Sequence, residues 1–132
     1  RSDQEIDING VKAEMAVAKL YQIDYDPYHF GIDSGVDLWS GETSIDVKST
    51  FHPHGHLVFK SLDAFKADIA MLCIVQDNVV KVSGGCEKNW FMENHVNRTF
   101  SKNKKASFPS LTQGDLWAVD QIWSLLTHAR LY

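Results

Sequence analysis

GVDLWSGETSIDVKST, residues 35–50, reads as two short strands joined by a turn at Ser40, Gly41 and Glu42, with Val36, Leu38 and Trp39 before the turn and Ile45 and Val47 after it. Side chains of an extended strand alternate between its faces, so Ile45 and Val47 point one way while Ser44, Asp46 and Lys48 point the other. The apolar pair goes to a core. A carboxylate and an amine are left side by side on the opposite face, and pairing around the turn brings Asp37 to join them. Carboxylate oxygens suit a hard divalent cation such as Mg²⁺, and an ammonium suits a phosphate or an attacking water.

Upstream, Asn9 is a plausible N-cap, and Val11, Met15, Ala18, Leu20 and Tyr21 recur at helical spacing. Nearly every other position of this helix is alanine or valine, so it packs on more than one side and Glu14 stands out. Helix patterning alone leaves two accounts of Glu14: a carboxylate on a solvent stripe beside Lys12, or one directed at a cation. Residues 22–34 form a connection with a turn at Asp26-Pro27. Its bulk is Tyr25, Tyr28, His29 and Phe30, which suit the covering of a core edge more than base stacking. Asp33 reads as part of a turn.

Downstream of Lys48, His52, His54 and His56 alternate with Pro53 and Gly55. Imidazoles at every second position resemble zinc ligands, yet Pro and Gly mark a loop and no cysteine stands near to complete four ligands. A loop in which His54 or His56 touches substrate phosphate, or an ordinary polar hairpin tip, fits better. Residues 57–59 make a third strand. Residues 69–75 are uninterrupted apolar and describe a strand buried on both faces. Asp77-Asn78 is a two-residue hairpin turn with a return strand over 79–83. A short helix follows near residues 86–95, then a polar stretch over 98–109 with Lys102, Lys104 and Lys105, and a final helix over 115–128. Trp117 and Trp123 suit core or subunit contacts. Lys66 and Asp68, before the buried strand, read as structural.

Asp37 followed by Asp46-Val47-Lys48 resembles the PD-(D/E)XK nuclease superfamily, whose signature is an acid on one strand and an acid, any residue and lysine on the next. Val36 stands where the proline of the name would be. Residues 9–20, with Glu14, look like the first helix of Holliday-junction resolvase-type and phage-type members. The resemblance implies a restriction-endonuclease-like α/β fold, with an αβββαβ core and a central mixed sheet flanked by helices. It implies Mg²⁺- or Mn²⁺-dependent hydrolysis of DNA phosphodiesters, with Glu14, Asp37, Asp46 and Lys48 catalytic. Asp37, Asp46, Glu14 and the Val47 carbonyl would be metal ligands. Lys102, Lys104 and Lys105 would grip the phosphate backbone together with His54 and His56. A homodimer, and a cytoplasmic setting in a bacterial or phage-infected cell, follow from the same resemblance. The alternative is a catalytically silent nucleic-acid-binding or assembly module on the same fold.

Composition agrees with one domain over 132 residues, 44% hydrophobic and 23% charged. There is no run of eighteen apolar residues and no basic-then-apolar leader. Two cysteines make no disulfide framework; Cys73 lies in the apolar run and suits a core, while Cys86, after Gly84-Gly85, is expected to be partly exposed. The formal charge of −4 speaks against strong general affinity for nucleic acid. Active-site carboxylates account for part of it, and the cations gather late, at Arg98, Lys102, Lys104 and Lys105.

Overall fold

In a computed structural model, residues 3–25, 35–100 and 106–130 are described, with side chains between residues 8 and 126. The apolar run becomes strand β4 (Ile69–Gln76), and seven of its eight residues are buried. It lies between β2 (Thr43–Thr50) and β5 (Val79–Glu87), with β1 (Leu38–Ser40) at the edge, giving the sheet order β1-β2-β4-β5. β1–β2 and β4–β5 are antiparallel and β2–β4 is parallel, so the sheet is mixed.

The period of two along β4 divides the protein into two cores. Ile69, Met71, Cys73 and Val75 meet Ala13, Val17, Ala18 and Tyr21 of helix α1 (Asp3–Leu20 and the turn after it) and Ile122 and Leu126 of helix α3 (Val119–Arg130). Ala70, Leu72 and Ile74 face the other way, onto Leu57, Phe59, Phe65, Phe91 and Leu111. The hydroxyl of Tyr21 donates to the Val119 carbonyl at 3.0 Å and its ring lies 6.0 Å from Trp123, which ties α3 to α1.

Several elements differ from the sequence reading. α1 begins at Asp3, well ahead of Asn9, because an internal Asn9-Gly10 pair costs a helix only ~1 kcal/mol at the glycine and tertiary packing outweighs it. The third strand, β3 (Leu57–Val58), does not extend the central sheet; it pairs with β7 (Phe108–Leu111), which pairs with β6 (Val96–Arg98), in a second, three-stranded sheet. The place beside β2 is taken by β4, whose longer apolar run gains more from burial on both faces. Parts of the stretch read as a polar loop, residues 98–109, therefore belong to this second sheet. Helix α2 (Lys88–Asn94) follows β5 as expected, and the Asp77-Asn78 turn is present with Asp77 at φ 56°.

Cys86 is fully buried, not partly exposed. Gly84 and Gly85 are part of β5, where Gly85 exchanges backbone hydrogen bonds with Trp117 at 3.1 and 2.7 Å. A Cβ at Gly85 would collide with the Ala70 carbonyl and the Met71 sulfur. Gly85→Ala is thus expected to destabilise by about 2–3 kcal/mol, through forced movement of two packed strands. A lowered urea midpoint checks this, and an unchanged midpoint would show that the contact yields freely.

Candidate active site

The hairpin forms with Leu38 opposite Ile45, Trp39 opposite Ser44 and Ser40 opposite Thr43. Asp37 stands one residue past this ladder. Its N–H donates to the Ile45 carbonyl at 2.9 Å, and its Oδ2 accepts the Val47 N–H at 2.7 Å. The carboxylate of Asp37 thereby reaches across the hairpin, beside the residue that follows Asp46.

Asp46 is 3% exposed, while the side chain of Lys48 keeps 40% of its surface. Lys48 Nζ lies 3.4 Å from Asp46 Oδ2 and 4.9 Å from the centre of the Phe59 ring, so the ammonium sits between a carboxylate and an aromatic face. Burial pushes the Asp46 carboxyl up to about 7, a hydrogen bond with Asp37 adds to the rise, and Lys48 opposes it. Asp46 Oδ2 is fully buried, and the Lys48 ammonium at 3.4 Å is its ion-pair partner, without a hydrogen bond of good geometry among the described residues. A buried acid with a raised proton affinity, beside another acid and a lysine, marks a candidate functional site.

Glu14 resolves in favour of the interior. It lies four and seven residues before the buried Ala18 and Tyr21, on the same side of α1, and is half-buried. Its Oε1 accepts the Tyr25 hydroxyl at 2.6 Å. Burial raises its pKa, the Tyr25 bond lowers it, and the negative charge of Asp37 raises it again. Lys12 takes no part; its Nζ reaches the β4–β5 turn, 3.4 Å from Asn78 Oδ1. Asp37, Asp46 and Lys48 therefore gather at the hairpin, Asp37 through its bond to the Val47 N–H and Lys48 through its ion pair with Asp46. Glu14 stands on the α1 side of the sheet, bonded to Tyr25, and feels Asp37 only through its charge.

Among the described residues, no three His, Cys, Asp or Glu side chains stand together as a metal-holding cluster. The residues nonetheless fit a hard cation held in the manner of Mg²⁺, which commonly takes one or two carboxylates and keeps waters or substrate oxygens in its other positions. Asp37 and Asp46 supply such a pair, and Asp46 Oδ2, buried and held among the described residues only by the Lys48 ion pair, is an oxygen ligand of the right kind. Val47 lies between them, its N–H given to Asp37 and its side chain against the α1 core.

The histidines do not converge as zinc ligands. His52 lies 4.2 Å from Phe51 ring to ring and His56 lies 5.4 Å from Phe100, while His54 is exposed. All three instead line a cleft beside Lys48. Asp68 is structural as read: its carboxylate accepts both the N–H and the hydroxyl of Ser44, at 2.9 and 3.1 Å. Asp26, Pro27, Tyr28, His29, Phe30, Asp33, Lys102, Lys104 and Lys105 lie outside the described residues.

Sequence reasoning missed Tyr25 as the partner of Glu14, Phe59 as the ring under Lys48, and Phe100 as a wall of the cleft. Tyr25 stood in an aromatic cluster whose other members masked it. Phe59 and Phe100 are 11 and 52 residues from Lys48, and no local pattern links them.

The chain matches no protein-family model, no curated protein and no solved structure. The functional reading rests on the site itself. No helix among the described residues is long and apolar enough to cross a membrane.

Proposed function

We propose that this protein is a divalent-cation-dependent nuclease of the PD-(D/E)XK type that hydrolyses DNA phosphodiesters in DNA processing, repair or recombination, with a central sheet that departs from the αβββαβ order in that β4 and β5 follow one another without a helix between them. The observation that carries this reading is the buried Asp46 carboxylate with Asp37 on one side and Lys48 Nζ at 3.4 Å on the other. A buried Asp46 with a raised proton affinity, set beside Asp37 and a half-exposed lysine, is costly to keep unless a cation and an anionic substrate complete the site.

Asp37 and Asp46 would hold Mg²⁺ or Mn²⁺, with Glu14 contributing through a water. When bound, the cation would lower the pKa of a coordinated water and offset charge on the phosphate. The water oxygen would add to phosphorus as one of its protons passes to solvent, one ester P–O bond would break, and the departing oxygen would take a proton from solvent. Lys48 neutralises the charge that builds on the non-bridging phosphate oxygens. This role suits an ammonium at a half-exposed position better than that of a base, since a lysine must lose several pKa units to accept protons near neutrality. The Phe59 face limits the lysine's directions and keeps Nζ toward the carboxylates. Glu14, held by Tyr25, adds negative charge near Asp37 that a bound cation would offset.

The Asp46–Lys48 ion pair and the lack of a three-ligand cluster among the described residues favour a second reading, a silent DNA-binding module on the same fold. A panel of labelled single-stranded, duplex and branched DNAs, incubated with Mg²⁺, with Mn²⁺ and with chelator, separates the two. Cleavage that requires the cation supports the nuclease. Titration calorimetry with Mn²⁺ should show heat that Asp46→Asn removes. Intact DNA throughout, together with no such heat, would leave the silent module.

A further inference from the structure

A cleft of about 540 Å³ opens next to Lys48, between the loop at residues 51–56 and Phe100. Its chemistry is divided. Lys48, His54 and His56 present nitrogen groups, while Leu72, Val58 and the ring of Phe100 present apolar surface. Among the described residues that line it there is no Asp or Glu, in a chain whose formal charge is −4. The aromatic wall is accessible: Phe100 is 48% exposed, and the His56 ring meets it edge-on at 5.4 Å and 65°. Burial and the neighbouring Arg98 lower the pKa of His56 against a weaker pull from Asp115, so the ring is presented neutral.

The loop wall is preformed. Gln113 Nε2 donates to the carbonyls of Pro53 and Gly55, both at 2.9 Å. The His52 N–H donates to Thr50 Oγ1 at 3.2 Å. Gly55 lies so close on Thr50 that a Cβ there would collide with it. Such fixing lowers the cost of ordering on binding.

We propose that this cleft takes one unpaired nucleotide, its base on Phe100 and His56 and its phosphate toward Lys48, so that the protein engages single-stranded or unpaired DNA in preference to intact duplex. The volume is that of a single small-molecule pocket, which spans about 300–1,000 Å³, and a paired base cannot leave its stack to enter it without being unpaired first. An exposed aromatic ring and a cation lining one cleft match the two parts of a nucleotide, its base and its phosphate. Base stacking on an aromatic ring is tolerant of sequence, so the preference is for structure and not for a motif. The placement beside the cleaved phosphate rests on the nuclease reading; binding of the nucleotide does not.

Fluorescence anisotropy with a fluorescein-labelled thymidine oligomer and a blunt duplex of equal length tests this, on the Asp46→Asn background so that no cleavage intervenes. The single strand should bind more tightly than the duplex. Phe100→Ala should weaken single-strand binding about tenfold and leave duplex binding unchanged, while Phe100→Tyr retains it. His56→Ala, which removes the second ring, should act in the same direction. Equal single-strand affinity with and without the Phe100 ring would overturn the proposal, as would duplex bound as tightly as single strand. Phe100-dependent binding by a protein that cleaves nothing would end the nuclease reading and leave the cleft assignment standing. Cation-dependent cleavage indifferent to Phe100 would do the reverse.

Discussion

Lys48→Ala is expected to lower Mg²⁺-dependent cleavage by about 10²–10³-fold while the domain stays folded, and Asp46→Ala to abolish it. The size follows from what each group faces. Lys48 Nζ is held 3.4 Å from Asp46 and 4.9 Å above Phe59, so its charge is already in place when charge develops on the phosphate and no reorganisation is needed. Folding should hardly register the loss, because the side chain is 40% exposed and its ion pair is with a carboxyl that burial already drives toward neutrality. Lys48→Arg keeps the charge but replaces a point ammonium with a planar fork, and should restore only part of the rate. Rates on a labelled DNA substrate, with circular dichroism melts of each variant, check the prediction. A Lys48→Ala protein as active as the parent would remove the lysine from the mechanism, and equal activity in Asp46→Ala would remove the site.

Asp46→Asn is expected to raise the melting temperature of the metal-free protein at about pH 8, and to erase a pH dependence that the parent shows. The sign follows from proton counting. The Asp46 carboxyl titrates near 3.8 when exposed and is raised to about 7 in the folded protein. Between those values the folded state binds more protons than the unfolded one, so stability falls as pH rises through that window and stays low above it. The loss is on the order of a few kcal/mol, because it reflects the desolvation of an almost fully buried carboxylate. Asparagine has the same shape without the charge and is free of this cost. Mg²⁺ or Mn²⁺ at about 100 times its dissociation constant should return ~2.7 kcal/mol to the parent at alkaline pH and nothing to Asp46→Asn. Thermal melts from about pH 5 to about pH 8, with and without cation, measure both effects. A parent melting temperature that is flat with pH, or one that Asp46→Asn lowers, would show that the carboxylate is compensated inside the protein and is not waiting for a cation.

These two predictions use the part of the molecule that was readable before any coordinates. The turn at residues 40–42 and the alternation of Ile45 and Val47 against Asp46 and Lys48 are local, with a period of two and a loop of a few residues. The same holds for the buried run at residues 69–75 and the Asp77-Asn78 turn. The pairing of Leu38 with Ile45 then brings Asp37 beside Asp46 by geometry alone.

What lay beyond reading was long-range competition. Nothing in Leu57-Val58 says that its partner is Leu111-Ser110 and not β2, because a two-residue strand carries no register of its own and goes where a complementary edge remains. The same competition buried Cys86, by setting Gly85 against Trp117 some thirty residues away. The depth of Asp46 was hidden for a related reason. Strand alternation sends it to the face opposite Ile45, but how much of that face is covered depends on the second sheet, assembled from segments up to residue 111. Thus the sequence by itself determined which acids and which lysine share a face of the hairpin, since that needs only the two-residue period and one turn. The tertiary structure alone decided how dry that face is, which ring lies under Lys48, and that a cleft opens beside it, since dielectric and shape arise from chain segments that meet only after folding.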